Sequence, residues 1–467
     1  MSRPARIALS TLGSLAGLAA ILVFAGILVS QSQWFRGQVR AWLVREIETA
    51  TGGRVETGVL RFDWRTMTAS VRDLVIHGTE TPDQAPLFRA EEIRLGIKIL
   101  SVWERQVDLR ALALVRPRVN LIVNPDGATN VPEPRLARQA RGNPLDLVFD
   151  LVIGQFSVSD GTIQIGFRKL RLDVAAEDFR AQVRYRRGQK NYLGEISLRH
   201  LSLQAGDLPA LPVDFEGRFE FGRNRLSIEY AGFRLGGSYL NVHGLAEHFA
   251  SPRLEIAYDA RVLFQDLPPG FRAPGIPRLG AVALSGKAAY GGSGRFSATG
   301  KLDARGLDAD LRGVRIGNIG VASAFSVTPK GVTFDGLGIR ALGGAFLGRA
   351  ELPAFRNVQI RGELRGISAN ELVRLSGTHR VEWDGAVSGS IDLTAPLAKP
   401  FPAFATFRAD LAIARGEGPN PIEGLVKASY ERQGDRLDFG PSHLATRFSR
   451  IVFWGAAGRR MDVSAES

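Results

Sequence analysis

At 467 residues the chain is long enough for two or three ordinary domains, and a hydrophobic content of 45% excludes a disordered one. The absence of Cys excludes disulfides and thiolate metal sites. A net charge of +13 is spread along the length without any compact Lys/Arg run interleaved with aromatics, so nucleic acid is not an expected partner; a solvated polar face or affinity for anionic lipid headgroups remains.

The first element is apolar. IALSTLGSLAGLAAILVFAGILVS, Ile7 to Ser30, holds no charged residue and is long enough to span a bilayer as a helix. It exceeds the apolar core of a cleaved signal peptide and lacks a small-x-small exit, so residues 1–30 are expected to remain as an anchor. Arg3 and Arg6 precede it and Arg36, Arg40 and Arg45 follow it, which leaves its orientation open. Next, Phe35, Val39, Trp42, Leu43 and Ile47 recur at helical spacing, and Gly52-Gly53 marks the helix end. Trp34 and Trp42 suit a membrane interface.

From Arg54 the hydrophobic period drops from 3.6 to 2, the spacing of half-buried strands. In VRPRVNLIVNPDGATN, Val115, Pro117, Val119, Leu121 and Val123 are expected on one face and Arg116, Arg118, Asn120 and Asn124 on the other. Asn-Pro-Asp-Gly then makes a turn. Similar alternation runs through LEIAYDARVLF, GAVALSGKAAY and NVQIRGELRG. One short helix is expected at SANELVRL, where Ser368 and Glu371 form a capping-box pair. Proline clusters at VPEPRLARQARGNP, LPPGFRAPGIPRLG and APLAKPFP mark interruptions.

An internal repeat accompanies the alternation. Residues 219–244 match 325–350, with a weaker third copy at 430–455, each reading strand, turn, strand, break, strand. One-faced strands must bury that face, and helices to cover it are almost absent. The strands either close as sandwiches or barrels, or form a long curled antiparallel sheet around an apolar trough. Roughly thirty strands at about 4.8 Å each would give an uninterrupted sheet on the order of 140 Å. In the trough reading Val119, Leu121 and Val123 face the interior, as do Leu226, Ile228 and Tyr230 of the first repeat copy.

Catalytic and metal patterns do not form. His77, His200, His243, His248, His379 and His443 show no metal-protease spacing. GAVALSGKA misses the phosphate-loop pattern at Ala281 and Ala288, and RIGNIGV lacks the third Gly of a dinucleotide fingerprint. No pair of carboxylates stands out as acid and base. An enzyme is not expected, nor a cofactor or a catalytic or metal-binding residue.

The order of features resembles the AsmA/TamB-like family of bridge-like lipid transfer proteins. The resemblance is carried by the apolar segment followed by VREIETATGGRVETGVLRFDW, then by LFRAEEIRLGIKILSVWERQVDLRALALVRPRVNLIVNPDGATNVPEP, and by periodicity alone from 136 to 467. It implies an anchor over 1–30, a chorein-like cap over 31–135 and an elongated, taco-like β-groove over 136–467. It further implies a single-pass protein of the bacterial inner membrane with its body in the periplasm, passing phospholipids toward the outer membrane in support of the cell envelope. Family members of the TamB kind also work with an outer-membrane β-barrel protein; no carboxy-terminal domain of that kind is recognisable here, which puts that partner in doubt. The competing reading is a scaffold for outer-membrane protein assembly that carries no lipid.

Overall fold

The structure is a computed structural model that describes residues 33–466 apart from 64, 82, 98–108, 133–152, 250, 272–276, 293–294, 312–313, 376–382, 398–404, 433–435 and 458–460. The apolar segment Ile7–Ser30 lies outside the described residues, as do the side chains of Trp34, Phe35, Val39 and Trp42. Among the described residues no helix is long and apolar enough to cross a membrane. The described chain is mostly β, with 25 strands in largely antiparallel order. It divides into two compact units, Met1–Arg223 and Asn224–Ser467.

The first unit opens with helix α1, Gln33–Thr51. Gly52 follows it with φ +75 and donates to Glu48 O at 2.8 Å, the left-handed stop that the Gly-Gly pair predicts. A Cβ on Gly53 would collide with the His77 carbonyl, so the chain can enter the sheet there only as glycine. Strands β1 (Arg54–Glu56) and β2 (Leu60–Asp63) both pair with β3 (Thr68–His77), which pairs with β4 (Phe88–Ile97). β5 (Leu109–Val115) and β6 (Arg118–Val123) lie end to end between β4 and β7 (Gln155–Phe167), and both run parallel to β7. β8 (Leu172–Arg186), β9 (Asn191–Ala205) and β10 (Leu211–Gly222) continue antiparallel.

The division between the two compact units falls at Arg223/Asn224, and β5 and β6 share a ladder with β7. These pairings correct one expectation. The stretch VRPRVNLIV, expected to alternate throughout, is broken at Arg116, whose φ is +47. That left-handed residue reverses the alternation, so Val115 sits opposite Glu92 and Ser159 and does not share a face with Val119. Leu112 and Leu114 take its place on the apolar face, opposite Leu95 and Ile93.

In the second unit every strand pairs antiparallel with its neighbour in sequence, from β11 (Arg225–Leu235) to β25 (Met461–Glu466). The repeat becomes a period of six strands. Its copies centre on β11, β17 (Gly331–Ala341) and β23 (Arg436–Ala445). All three carry a bulge at the same place: between Ile228 and Ala231, Phe334 and Leu337, and Phe439 and Ser442. The connectors repeat too. Two 3-10 turns, Phe264–Asp266 and Pro269–Phe271, follow β13 (Arg253–Leu263), and helix α2, Ala369–Leu375, follows β19 (Asn357–Ser368). The Ser368 hydroxyl accepts the Glu371 N–H at 3.4 Å, as the capping pair predicts.

Candidate functional site

Side chains directly opposite one another across a ladder share a face, so registers can be read as rows. In the first unit one row is Val55–Ile76–Phe88–Val119–Ile163–Ala176, and another is Leu121–Ile165–Val174–Leu203–Leu211. Val123 lies opposite Phe167. The other face carries Asn120–Gln164 and Ser157–Gln182–Glu195–Arg218. The structure thus brings Val119, Leu121 and Val123 together on one apolar face, all partly buried, with Arg118 exposed on the other.

The second unit continues the pattern within itself. Leu226–Ala246–Leu254–Tyr290–Phe296 and Ile228–Gly244–Ile256–Ala288–Ala298–Val327–Val332–Leu352 are apolar rows, and Asn241–Asp259–Ser285–Lys301 is a polar one. Tyr230 departs from the expected site. The bulge at Glu229–Tyr230 adds a residue, so Ala231 and Phe233 resume the apolar face opposite Val242 and Leu240. Tyr230 instead lies over Gly232, where its ring occupies the space of a Cβ on the face of Asn241. A strict period of two cannot foresee this. Comparison of the repeat copies could have: Gly336 and Pro441, residues that break a ladder, stand where Tyr230 does.

Among the described residues helices cover the apolar faces only locally. Leu43, Val44 and Ile47 of α1 pack on Val55, Val71 and Leu74 together with Phe88 and Ile93. Each apolar side chain so covered contributes up to about 2 kcal/mol. Arg40 ties α1 down by donating from Nε to Thr57 Oγ1 at 2.9 Å and from Nη2 to the Thr57 carbonyl. In the second unit Leu372 of α2 packs on Ile367 and Val387.

Elsewhere irregular residues are aligned from strand to strand. In the first unit Asp73, Arg116, Asp160, Asp178 and His200 all have positive φ, between 47 and 55. Extending the registers sets them in one row across the sheet, with Glu91 on β4 and Asp214 on β10. Ion pairs Arg116–Glu91 (2.5 Å), Arg180–Asp160 (3.5 Å) and Arg180–Asp178 (2.9 Å) link neighbours along the row, and the His200 N–H donates to Asp214 Oδ1 at 3.1 Å. Aligned bulges bend a sheet along a crease. The buried apolar residues flank it: Val71, Leu74, Ala90, Val158, Ala176, Ala181 and Leu201, each at most 6% exposed. Val71 and Leu74 lie under α1, but Val158, Ala176, Ala181 and Leu201 do not join that cluster. Among the described residues no helix packs against these four.

In the second unit glycine and flattened rings do similar work. A Cβ on Gly348 or Gly362 would come within 2.6 or 2.7 Å of the Phe346 ring, so Phe346 lies down across both. Tyr258 and Phe325 lie against Gly300 in the same way, at 2.9 and 3.0 Å. Phe346 is 7% exposed and packs with Leu337 and Ala350 from its own sheet.

Asn130, unassigned by sequence reasoning, follows the Asn-Pro-Asp-Gly turn. It is 5% exposed; its Oδ1 accepts the Ile122 N–H and its Nδ2 donates to the Asn120 carbonyl, both at 2.8 Å. It therefore satisfies the edge of β6 that β4 leaves unpaired, which is a structural role. In GAVALSGKA, all but the leading Gly280 lies in strand β14 (Ala281–Gly291), an extended segment and not a loop. Among the described residues no group of His, Asp and Glu is arranged to hold a metal ion. No protein-family model matches the chain, and no curated protein is significantly similar to it.

Proposed function

We propose that the chain is a membrane-anchored conduit that passes phospholipids along its apolar face, from the inner toward the outer membrane, with its body in the periplasm. The observation that carries this reading is the apolar face in each unit, continuous from strand to strand and, among the described residues, covered by helices only at α1 and α2. The sheet of each unit is then a curled groove: the aligned bulges of the first unit and the Gly-aromatic packing of the second turn the apolar side inward. An acyl chain gains about 0.8 kcal/mol for each CH₂ withdrawn from water. A face that is apolar at every strand lets it move between neighbouring positions without returning that gain to solvent, while the polar headgroup stays at a wet rim.

A closed, dry β-rod would need a second layer over the same face, and no described element supplies one. The test is mass spectrometry of lipid carried by the full chain purified in mild detergent, together with photocrosslinkers at Leu121 and Ile228. Copurifying phospholipid that crosslinks at both positions is the expected result. A lipid-free protein that instead crosslinks to unfolded outer-membrane strands would replace the conduit by the assembly scaffold.

A further inference from the structure

The polar face of the first unit holds a feature that an acyl-chain groove does not use. Arg89 on β4 and Arg118 on β6 are direct cross-strand partners. Like charges in that position repel, and sheets ordinarily avoid them. Arg72 and Arg116 line the same cleft, about 490 Å³ in volume, with Asp73 and Glu91 among its carboxylates.

The carboxylates do not neutralise the pair. Glu91 is engaged by Arg116 at 2.5 Å, and the hydrogen bond from that guanidinium holds its carboxyl below the usual range. Glu92 is likewise taken by Arg94 at 2.6 Å. Asp73 reaches Arg89 only at 3.9 Å. Among the described residues Arg118 has no carboxylate within ion-pair distance. Several arginines on the polar faces elsewhere do find one: Arg361 meets Asp392 at 2.8 Å, Arg186 meets Glu220 at 2.7 Å and Arg349 meets Asp335 at 3.1 Å. The register therefore concentrates under-neutralised guanidiniums in one concave place.

We propose that this cleft binds a phosphate group, with Arg118 and Arg89 as its two principal donors and Arg72 at its wall. Guanidinium forks match tetrahedral oxyanions, and two of them on adjacent strands can each present parallel N–H groups to a single phosphate. The bound anion removes the repulsion between them. The site lies on the face opposite Val119 and Leu121, so it is independent of any lipid on the apolar side. The phosphate can belong to a lipid headgroup or be free in solution.

The experiment uses the full chain in amphipol. Inorganic phosphate and glycerophosphoglycerol, the water-soluble headgroup of phosphatidylglycerol, are titrated separately by calorimetry, with chloride at matched ionic strength as the baseline. Binding above baseline is expected for at least one probe, and which one binds identifies a free phosphate or a headgroup as the source. Arg118→Ser should weaken that binding about tenfold or more, Arg118→Lys should retain part of it, and Arg361→Ser should leave it unchanged. Thermal unfolding without ligand controls for folding: Arg118→Ser should melt no lower than the parent protein, since it relieves a like-charge contact. No probe bound above chloride overturns the proposal. So does equal loss in Arg118→Ser and Arg361→Ser, or an Arg118→Ser protein that binds normally.

Discussion

Between Asp73 and Asp214 the irregular residues of successive strands stand in one row, and nearly all of them are charged. Between Asn224 and Ser467 the irregularities are dispersed and fall largely on glycine: Gly306, Gly336 and Gly366 have φ between 61 and 65. A Cβ at any of these three would meet nothing within 4 Å, so their backbone conformation, and not crowding, calls for glycine. The first unit accepts a cost of about 1–2 kcal/mol at each left-handed L-residue. With them it sets a line of charge across successive strands. The second unit bears the same cost at His248, Asn318, Leu342, Ala354 and Phe355, but these are mostly uncharged and form no such line. Left-handed positions therefore do not require charged residues, and their presence in the first unit points to a use for the charge.

The largest expected effect tests what the two units share. Leu121→Arg in the first and Ile228→Asp in the second place a charge on the apolar face. An isolated buried charge costs several kcal/mol, but in an open groove the side chain reaches water, so stability should fall modestly while lipid movement between vesicles stops. Parallel measurement of unfolding and transfer checks this. Loss of transfer in one unit only would confine the conduit to that unit.

Gly362→Val addresses the flattened rings. Its side chain would collide with Leu347 O and displace Phe346, so a loss of about 3 kcal/mol is expected in chemical denaturation. A loss below about 1 kcal/mol would mean that the ring does not depend on the glycine.

A smaller and opposite pair of effects measures the two bending devices directly. Gly336→Ala should cost about 1 kcal/mol, all of it from φ. His200→Gly should gain about 0.5 kcal/mol, the relief of left-handed strain less the added freedom of the unfolded chain. Equal signs in denaturant titrations would remove the distinction drawn between the units.

The smallest effect concerns acid. Asp308 accepts from the Arg278 and Leu279 N–H groups at 2.8 Å and from Arg315 at 2.8 Å; Arg315 foremost holds its carboxyl below the usual range. A depressed folded-state value means that its contribution is complete above the unfolded value near 4 and is lost as pH falls through the lowered value. Asp308→Asn should cost less than about 1 kcal/mol at pH 7, because Arg315 is largely exposed, and the difference from the parent should vanish in strong acid. Stability curves against pH check it.

Much of this fold was legible in sequence. Alternation located strands, Gly52-Gly53 stopped a helix, Ser368 and Glu371 capped another, and the repeat marked the bulged strands before any register was known. Val119, Leu121 and Val123 were readable because β6 is regular between Arg118 and Val123. Tyr230 was not, because a bulge reverses parity without changing composition. Nor was the parallel pairing of β5 and β6 with β7, since a ladder's direction depends on how the intervening chain returns. The row of charge was invisible for a third reason: Asp73, Arg116, Asp160 and His200 are far apart in sequence and align only through registers.

The neighbour-only pairing of β11 to β25 has a consequence for how such a protein changes over generations. Inserting or deleting a pair of antiparallel strands there would alter the number of rungs without separating any remaining strand from the partner it follows in sequence. Length becomes a heritable variable that can drift in steps of one hairpin, or jump by a six-strand copy, without a new fold having to be found. The parallel arrangement around β7 allows no such editing, because β5 and β6 must both meet the same strand. The same polypeptide therefore joins a segment whose length can be retuned and one whose architecture must be inherited whole.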